Sequence, residues 1–204
     1  MNYCPLFPNI YSDSFILVSS SPRRKELLAT VGLNPLIMKP DTNEELLENE
    51  SFANYLQRVT QDKATVVLNQ LSNNDKRCVL SADTVVILNH QLLQKPKNKT
   101  EAIEMLTKLC GKTHLVRTGF CVARSKNGSL IHKYDFQETK ITLRNLATEK
   151  IASYVETKEP MDKAGAYGAQ GIGSLLIDKI EGSYDTVVGL PVFASLQLIS
   201  TCID

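Results

Sequence analysis

The sequence predicts an α/β fold, because strand-like and helix-like segments alternate along the chain with short connectors between them. Its 204 residues suffice for one sizeable core and are slightly long for a single domain. The composition, 43% hydrophobic and 22% charged, is that of an ordinary globular protein. No repeat or low-complexity linker divides the chain, so we expect one domain over residues 1–204.

The first predicted elements are two short strands and two helices. FILV at 15–18 is typical of a buried strand, and a helix is predicted over about 22–32. PLIM at 35–38 predicts the next strand. From about 51 to 71, apolar residues recur at mostly three- and four-residue steps, which predicts a long helix with Lys63 in its second half.

The second half of the chain continues the alternation. CVLSADTVVIL at 78–88 predicts a strand that turns at residues 89–91 and returns through LLQ. A helix is predicted over 101–110, and Asn127-Gly128 is the expected two-residue turn between two long strands. The remaining elements are helices near 147–157 and 191–202, which bracket a glycine-rich segment and the strand LLIDKI.

The turn after FILV has two interpretations. Ser21 is placed to cap a helix that begins at Pro22, where the missing N–H costs nothing. Arg23 and Arg24 follow in the first turn, where positive charge opposes the helix dipole but suits the binding of a phosphate. The alternative is a capped surface helix with solvated arginines. Because positive charge at this end of a helix opposes the helix dipole, the two arginines favour the interpretation as an anion site.

Charge and cysteine usage limit the classes of function. A net charge of +1 gives no general basic field, which argues against a DNA or RNA polymer as ligand. Five cysteines, without CxxC spacing, indicate free thiols in a reducing compartment and argue against a zinc site. No apolar stretch approaches membrane-spanning length, and the N-terminus lacks the pattern of an export or import signal. We therefore expect a cytoplasmic protein that does not enter membranes.

Cations and carboxylates are placed near the ends of the predicted elements. Phosphoryl chemistry on a nucleoside triphosphate needs cations for the polyphosphate, hard oxygen ligands for a metal, and a base that orients water. The sequence provides candidates for all three roles: Arg23, Arg24, Lys63, Lys95 and Lys163, with Glu44, Glu45, Asp83 and Asp162.

Asp83 is the most informative single residue of this set. It interrupts a strand in which both faces otherwise look buried, and a buried carboxylate without a partner is costly. It therefore needs a metal or a partner group. A structural carboxylate that accepts backbone N–H bonds at a bulge explains the residue equally well.

Five motifs, spread over nearly the whole chain from about residue 15, together resemble one family. They are SSSPRRKELL, SADTVV, LQKP, EPMDKAGAYGAQGIG and GSYDTVVGLP. This combination resembles the Maf family of nucleoside triphosphate pyrophosphatases, and residues 1–14 lie outside it. The resemblance implies a long mixed sheet with flanking helices and a cleft between two lobes, similar to the inosine triphosphate pyrophosphatases. It also implies metal-dependent hydrolysis of a nucleoside triphosphate to the monophosphate and pyrophosphate.

The resemblance further implies roles for particular residues. Asp83 matches the catalytic acid-base and metal-site residue of the family, and Glu45 matches a second functional carboxylate, with Glu44 as its alternative. Lys63 and Lys95 match two functional lysines. The phosphate-binding turn of the family is matched by Ser21, Arg23 and Arg24.

Three positions mark the substrate branch within the family, and here they are Arg23, Thr84 and Gln170. This set resembles the branch that acts on dTTP and UTP, in some members also on CTP and modified uridine triphosphates. Gln170 has an acceptor and donors that suit the uracil edge. Two other functions stay open: a nucleotide-binding regulator of cell division without essential turnover, and a purine-specific pyrophosphatase.

The same resemblance gives the expected cofactor and partners. The cofactor is a divalent cation, Mg²⁺, Mn²⁺ or Co²⁺, held by Asp83 and Glu45. The partner is a small nucleotide substrate, and a homodimer is expected because dimers are common among similar proteins.

Overall fold

A computed structural model describes residues 2–72, 75–126 and 129–203 of the chain. The chain forms two compact units. The first comprises Met1–Asp83, Gly119–Phe136 and Gly189–Asp204, and the second comprises Thr84–Thr118 and Gln137–Val188. The expectation of one domain over residues 1–204 stays a prediction.

Helices and strands alternate as the α/β prediction requires. The α-helices of the described residues are α1 (Pro22–Thr30), α2 (Phe52–Leu68), α3 (Lys99–Leu109), α4 (Thr148–Glu156), α5 (Tyr184–Val188) and α6 (Val192–Ile203). The strands are β1 (Tyr3–Cys4), β2 (Phe7–Tyr11), β3 (Phe15–Val18), β4 (Leu36–Met38), β5 (Cys78–Leu88), β6 (Gln91–Leu93), β7 (Thr113–Lys126), β8 (Ser129–Leu143) and β9 (Ile177–Glu181). Short 3₁₀ helices span Glu159–Asp162, Ala164–Ala166 and Gly171–Leu176.

The main sheet is mixed, as expected. In the described part of the chain it has seven strands in the order β4-β3-β5-β7-β8-β9, with β6 paired to β5. Strand β3 runs parallel to both β4 and β5, whereas the β5–β6 and β8–β9 pairs are antiparallel. The β5–β6 hairpin turns at Asn89 and His90, which both have positive φ, so the turn predicted at residues 89–91 is confirmed.

Strand β3 lies at the centre of the first unit, and its four residues have no exposed surface. Phe15 and Leu17 belong to a cluster that includes residues of α6. Ile16 and Val18 belong to a second cluster, which includes residues of α2. Because successive side chains of a strand point to opposite faces, β3 is packed by a helix on each face. This explains why FILV is apolar without alternation.

The second unit has its own core. Helices α3 and α4 pack against each other and share a buried cluster with strands β7 and β8. Its members include Leu106, Val116, Ile141, Tyr154 and Tyr167. The prediction of helices near 101–110 and 147–157 is therefore confirmed.

The N-terminal segment forms an element that the sequence analysis did not predict. Strands β1 and β2 pair antiparallel, and β2 packs on α6. The rings of Phe7 and Phe193 are 5.4 Å apart, and Asn9 Nδ2 donates to Ser200 Oγ at 3.2 Å. These strands are too short to show a clear alternation of apolar and polar residues, so the sequence pattern did not predict them.

Two further predictions concern boundaries and turns. Helix α2 ends at Leu68, three residues before the predicted end, because the following residues Asn69 and Gln70 are polar and exposed. The predicted turn at Asn127-Gly128 lies outside the described residues. No helix in the described ranges is both long and apolar enough to cross a membrane.

Candidate active site

The turn that joins β3 to α1 is organised by Ser19. Its buried hydroxyl oxygen accepts the backbone N–H of Ser21 at 3.0 Å and a bond from Arg24 Nη1 at 3.4 Å. Helix α1 begins at Pro22, as predicted. Ser21 is the N-cap residue, but within the described structure its side chain makes no capping hydrogen bond. The predicted side-chain cap is therefore wrong, because the Ser19 hydroxyl orders the turn instead.

Arg24 is fixed in position at this turn. Its Nε donates to the Gly189 carbonyl oxygen at 2.7 Å. Burial lowers the pKa of the Arg24 guanidinium, while the charges of Asp83 and Glu44 act to raise it and that of Arg23 to lower it. Arg24, the second arginine of the predicted phosphate-binding turn, is thus close enough to Asp83, Glu44 and Arg23 to feel their charges.

Lys63 bridges these two carboxylates. Its Nζ lies 2.8 Å from Asp83 Oδ1 and 2.8 Å from Glu44 Oε1. The Lys63 side chain is only 6% exposed, against 14% for Asp83 and 40% for Glu44. A lysine this deeply buried needs paired charge, and both partners supply it.

The position of Lys63 follows from the sequence of α2. Ser51 caps this helix by accepting the backbone N–H of Asn54 at 3.2 Å. Lys63 then falls on the buried stripe of the helix, one turn after Val59 and one before Val67. Ser81 Oγ donates to the Thr60 carbonyl at 2.6 Å, which ties β5 to α2 close to Asp83.

The acidic loop at residues 41–45, DTNEE, is held on α2 by its backbone. Tyr55 Oη donates to the Glu44 carbonyl oxygen at 2.9 Å, and Arg58 Nη2 donates to the Glu45 carbonyl oxygen at 2.9 Å. The Glu45 side chain is exposed and accepts from Asn43 Nδ2 at 3.4 Å. It lines a cavity of about 360 Å³ whose lining includes neither Lys63 nor Asp83. The loop therefore brings Glu44, rather than Glu45, to Lys63.

The residues around Lys63 have the chemistry that a hard divalent cation requires. Among the described residues, no group of three or more His, Cys, Asp and Glu forms a metal site by itself. Mg²⁺ is commonly held by one or two carboxylates, with substrate phosphate oxygens completing its coordination. Asp83 and Glu44 each use one carboxylate oxygen on Lys63, so the pair fits this kind of site when a triphosphate is bound.

In the second unit, Thr84 belongs to a chain of hydroxyl groups. Its Oγ1 is 2.8 Å from Thr118 Oγ1, and Thr118 Oγ1 donates to the Thr186 carbonyl at 2.7 Å. Thr118 and Thr186 have no exposed surface, whereas Thr84 is partly exposed. Thr84 directly follows Asp83 on β5.

The glycine-rich segment forms a close-packed turn. Gly165 has φ of +69°, and a Cβ there would lie 3.0 Å from Val86 Cγ1. A Cβ at Gly173 would lie 2.6 Å from the Gly168 carbonyl oxygen. Only glycine fits such positions. The 3₁₀ helix Gly171–Leu176 follows, and partly buried Gln170 is its N-cap residue.

Glu159 holds the beginning of that 3₁₀ helix. Its carboxylate accepts the backbone N–H of Ile172 at 3.0 Å and that of Gly173 at 2.9 Å. Tyr154 Oη donates to the same carboxylate at 3.1 Å. Glu159 is thus a carboxylate cap that fixes the backbone next to Gln170.

The other two lysines of the predicted set differ in environment. Lys163 Nζ donates to the Glu159 carbonyl oxygen and to Asp162 Oδ1, the latter at 2.7 Å. Lys95 is exposed, and its ammonium forms no ion pair within residues 2–72, 75–126 and 129–203. Lys163 and Asp162 therefore form an ion pair, whereas the Lys95 side chain is exposed to solvent.

Sequence reasoning missed three residues that organise these groups. Ser19 is the first serine of the SSS run, and the local sequence does not distinguish its role from those of the two serines that follow. Glu159 begins the EPMDKAG motif, yet its contact with residues thirteen and fourteen positions later has no local signature. Thr118 gave no signal, since only the packing of β5, β7 and α5 brings its hydroxyl to Thr84 and Thr186.

Comparison with known proteins agrees with the motifs. The family described as Maf-like protein matches residues 14–202. A dTTP/UTP pyrophosphatase of Thermoanaerobacter sp. (strain X514) is 40% identical over 189 residues, which is 93% of this chain and 96% of that protein. The protein of the same name from Escherichia coli O157:H7 is 42% identical over 188 residues, covering 92% of each chain.

A third relative extends the comparison to another bacterium. The dTTP/UTP pyrophosphatase of Alkaliphilus oremlandii (strain OhILAs) is 44% identical over 178 residues, which is 87% of this chain and 90% of the relative. The match spans most of the chain in every case, and residues 1–13 lie outside the family match. The resemblance drawn from the five motifs is thereby confirmed, and the chain belongs to the Maf-like protein family.

Proposed function

We propose that this protein is a nucleoside triphosphate pyrophosphatase that hydrolyses dTTP and UTP to the monophosphate and pyrophosphate. The observation that carries the proposal is the buried Lys63 ammonium, 2.8 Å from both Asp83 and Glu44, in a chain whose relatives are named dTTP/UTP pyrophosphatases. Such an activity would serve as nucleotide housecleaning, which removes triphosphates that should not enter nucleic acids.

In this reaction Asp83 is the general base. Its carboxylate accepts a proton from a water molecule whose oxygen forms a bond to the α-phosphorus. The bond from the α-phosphorus to the oxygen bridging it to the β-phosphorus then breaks, and pyrophosphate leaves with that oxygen. Lys63 holds Asp83 Oδ1 in one orientation, which leaves the other carboxylate oxygen to meet the water.

The cations of the proposed site bind the polyphosphate. Ser21 and Arg23 lie in the turn at the start of α1, and Arg24 is fixed there by Ser19 and the Gly189 carbonyl. Guanidinium groups suit phosphate oxygens because their donors match two oxygens at once. Lys95, whose ammonium faces solvent, is proposed to meet the charge that develops on the departing pyrophosphate.

The proposed cofactor is a divalent cation, Mg²⁺, Mn²⁺ or Co²⁺. Asp83 would hold it together with a carboxylate of the acidic loop, and the geometry favours Glu44 over Glu45 for that second role. When bound, the cation would neutralise triphosphate charge and polarise the phosphorus–oxygen bond that breaks.

Base selection is proposed to involve Arg23, Thr84 and Gln170. Gln170 immediately precedes the 3₁₀ helix that Glu159 caps, so its backbone is held in one place. Its amide group has both an acceptor and donors, which suits the alternating O4, N3–H and O2 groups of uracil and thymine. We also propose a cytoplasmic location, in keeping with five free cysteines.

An assay of pyrophosphate release tests the proposal. The purified protein is given UTP, dTTP, CTP, ATP and GTP separately, each with Mg²⁺, Mn²⁺ or Co²⁺. We expect the largest kcat/KM for UTP and dTTP, with the nucleoside monophosphate as second product. Release of orthophosphate and a diphosphate would contradict the reaction, and faster hydrolysis of GTP than of UTP would contradict the substrate.

A further inference from the structure

Arg58, on helix α2, is held in one orientation by the carboxylate of Glu50. Its Nε lies 2.7 Å from Glu50 Oε1, and its Nη2 lies 2.8 Å from Glu50 Oε2. The Glu50 side chain is 9% exposed and that of Arg58 is 27% exposed. Two parallel bonds between a guanidinium and a carboxylate fix the planes of both groups, which a single bond would not do.

The second donor of the same Arg58 nitrogen reaches the acidic loop. Nη2 carries two N–H groups, of which one donates to Glu50 Oε2 and the other to the Glu45 carbonyl oxygen at 2.9 Å. This acceptor is a backbone atom, so the bond fixes the main chain at residue 45 and does not involve the Glu45 side chain. Because Glu50 orients the guanidinium, it also fixes this carbonyl through Arg58.

Glu50 further closes the segment between the acidic loop and α2. Its Oε2 accepts the Leu47 backbone N–H at 3.2 Å, and its own backbone N–H donates to the Leu47 carbonyl oxygen at 3.1 Å. Residues 47–50 therefore form a turn that is closed on the same carboxylate that holds Arg58. The backbone is thus held at Glu45 and again at Leu47, on either side of the end of the loop.

The acidic loop offers two adjacent glutamates, so the position of its backbone decides which of them meets Lys63. Glu44 Oε1 lies 2.8 Å from Lys63 Nζ, while Glu45 lines the cavity of about 360 Å³. The two side chains are chemically identical, so the carboxylate itself gives no preference. A shift of the main chain by one residue would exchange them, and the bond from Arg58 to the Glu45 carbonyl opposes this shift.

We propose that Arg58 and Glu50 are positioning residues for the reaction, because together they hold the loop backbone in the register that presents Glu44 to Lys63. This inference rests on the proposed function, in which Glu44 is the second carboxylate of the reacting site. It adds two residues that act on the reaction through the loop backbone.

Substitution of Arg58 by lysine tests the inference because it keeps the positive charge and removes the planar group. The single ammonium of Arg58→Lys cannot reproduce the two parallel bonds to Glu50 together with the bond to the Glu45 carbonyl. We expect faster hydrogen exchange of the backbone amides of residues 44–50. We also expect kcat/KM for UTP to fall about tenfold.

A double-mutant cycle with Glu44→Gln separates positioning from a general loss of stability. In the wild-type background, Glu44→Gln should lower kcat/KM for UTP about tenfold or more. In the Arg58→Lys background Glu44 no longer has a fixed place, so the same change should lower kcat/KM by less than about threefold. Wild-type kcat/KM in Glu44→Gln, or equal factors in the two backgrounds, overturns the inference.

Arg77 provides a matched control in the same unit. It also makes two bonds to one carboxylate, since Arg77 Nε lies 3.0 Å from Asp75 Oδ1 and Nη2 lies 2.6 Å from Asp75 Oδ2. The side chains of Arg77 and Asp75 are 35% and 15% exposed, similar to those of Arg58 and Glu50. Arg77→Lys makes the same chemical change in this second pair, and it should alter neither kcat/KM nor the effect of Glu44→Gln.

Glu50→Gln tests the other member of the pair, and it decides the matter if Arg58→Lys does not fold. An amide cannot accept with both of its terminal atoms, so exchange of residues 44–50 should again be faster and the effect of Glu44→Gln should again shrink. Wild-type exchange or an unchanged effect in folded Glu50→Gln overturns the inference, while UTP hydrolysis by the wild-type protein still supports the function. Absence of pyrophosphate release from UTP by the wild-type protein overturns both.

Discussion

His114 is a buried imidazole with one satisfied nitrogen. Its Nε2 lies 2.7 Å from Tyr167 Oη, while Nδ1 has no hydrogen-bond partner in the described part of the chain. The residue is 3% exposed, and burial lowers its pKa from 6.5 to about 4. The folded protein therefore holds the ring neutral at pH values where the unfolded chain protonates it.

We expect the stability of the protein to fall in mild acid because of this ring. Above pH 7 the imidazole is neutral in both states and contributes no pH dependence. As the pH falls from 6.5 towards 4, only the unfolded state takes up the proton, so the free energy of unfolding decreases. By pH 5 the loss is about 2 kcal/mol. Urea unfolding at pH 7.5, 6 and 5 measures it.

A comparison of two histidine variants isolates the contribution of His114. His114→Gln removes the titrating ring and should flatten the decrease between pH 7.5 and pH 5. The matched control is His90→Asn. His90 is exposed in the β5–β6 turn with φ of +59°, a conformation that asparagine tolerates. This variant should keep the wild-type dependence of the unfolding free energy on pH. Equal slopes for His114→Gln and wild type would rule out this ring as the cause.

The two proposed catalytic lysines should respond differently to substitution by alanine. Lys63→Ala leaves Asp83 and Glu44 without their shared counter-charge, so we expect a lower unfolding temperature and a loss of kcat/KM. Lys95 is exposed, so Lys95→Ala should leave the unfolding temperature unchanged. Each variant should lose about tenfold or more in kcat/KM for UTP.

Thermal unfolding and steady-state kinetics on the same samples check this prediction. For Lys95→Ala the decrease should lie mainly in kcat, since the proposed contact forms with the leaving group. Wild-type kcat/KM in both variants would remove the lysines from the reaction.

Asp83 shows which part of the candidate site could be predicted from the sequence and which part could not. A carboxylate inside an apolar strand predicted that some partner exists, and Lys63 was a candidate for the same site. That these two residues form a direct bond depends on how α2 packs on β5, which no local pattern reports. The choice of Glu44 over Glu45 beside Lys63 likewise depends on loop backbone contacts with Tyr55 and Arg58.

Among the elements, the long and strongly patterned ones were predicted well. Helices α2 and α3 and strands β3 and β5 were all anticipated from periodicity and apolar runs. Helix α5 and the 3₁₀ helices were missed, since segments of three to six residues are too short for a periodic signal. Tertiary contacts such as the Glu159 cap decide their conformation.

A single carboxylate, that of Glu159, accepts the backbone N–H groups at the start of the 3₁₀ helix Gly171–Leu176. Glu159→Gln places an amide group where two backbone N–H donors and Tyr154 Oη require acceptors. We expect faster hydrogen exchange of residues 165–176 and a destabilisation of about 1–3 kcal/mol. Because Gln170 precedes this helix, KM for UTP should rise more than kcat falls.

A nearby glutamate supplies the control for this turn. Glu156 is 66% exposed and pairs with Lys99 Nζ at 2.6 Å, so Glu156→Gln makes the same chemical change at a solvated site. It should alter neither exchange nor KM. Exchange rates in Glu159→Gln equal to those of the control would show that the carboxylate does not hold the turn.

For the whole molecule, the fold class was predictable and the strand order was not. Alternating elements indicated α/β, and the family resemblance implied a mixed sheet. The order β4-β3-β5-β7-β8-β9 brings together strands far apart in sequence. Local patterns define which residues face a core but not which strands become neighbours.

Removal of divalent cations should abolish activity without unfolding the protein. Lys63 pairs with both Asp83 and Glu44, and the positive charge of Arg24 also acts on both carboxylates, so we expect the fold to persist when a cation is removed. After EDTA treatment and desalting, we expect no pyrophosphate release, an unfolding temperature close to the initial one, and recovery on addition of Mg²⁺ or Mn²⁺. Full activity of a sample shown by elemental analysis to be metal-free would contradict the proposed cofactor.

The role of Asp83 as general base is tested by the kcat of Asp83→Asn for UTP at saturating divalent cation. Asparagine keeps the size of the side chain but cannot accept the proton from water, so kcat should fall by about 10²- to 10⁴-fold in a folded protein. Asp178 pairs with Arg144 at 2.8 Å on an exposed surface, and Asp178→Asn should retain wild-type kcat. A kcat for Asp83→Asn close to that of the wild type would contradict the proposed mechanism.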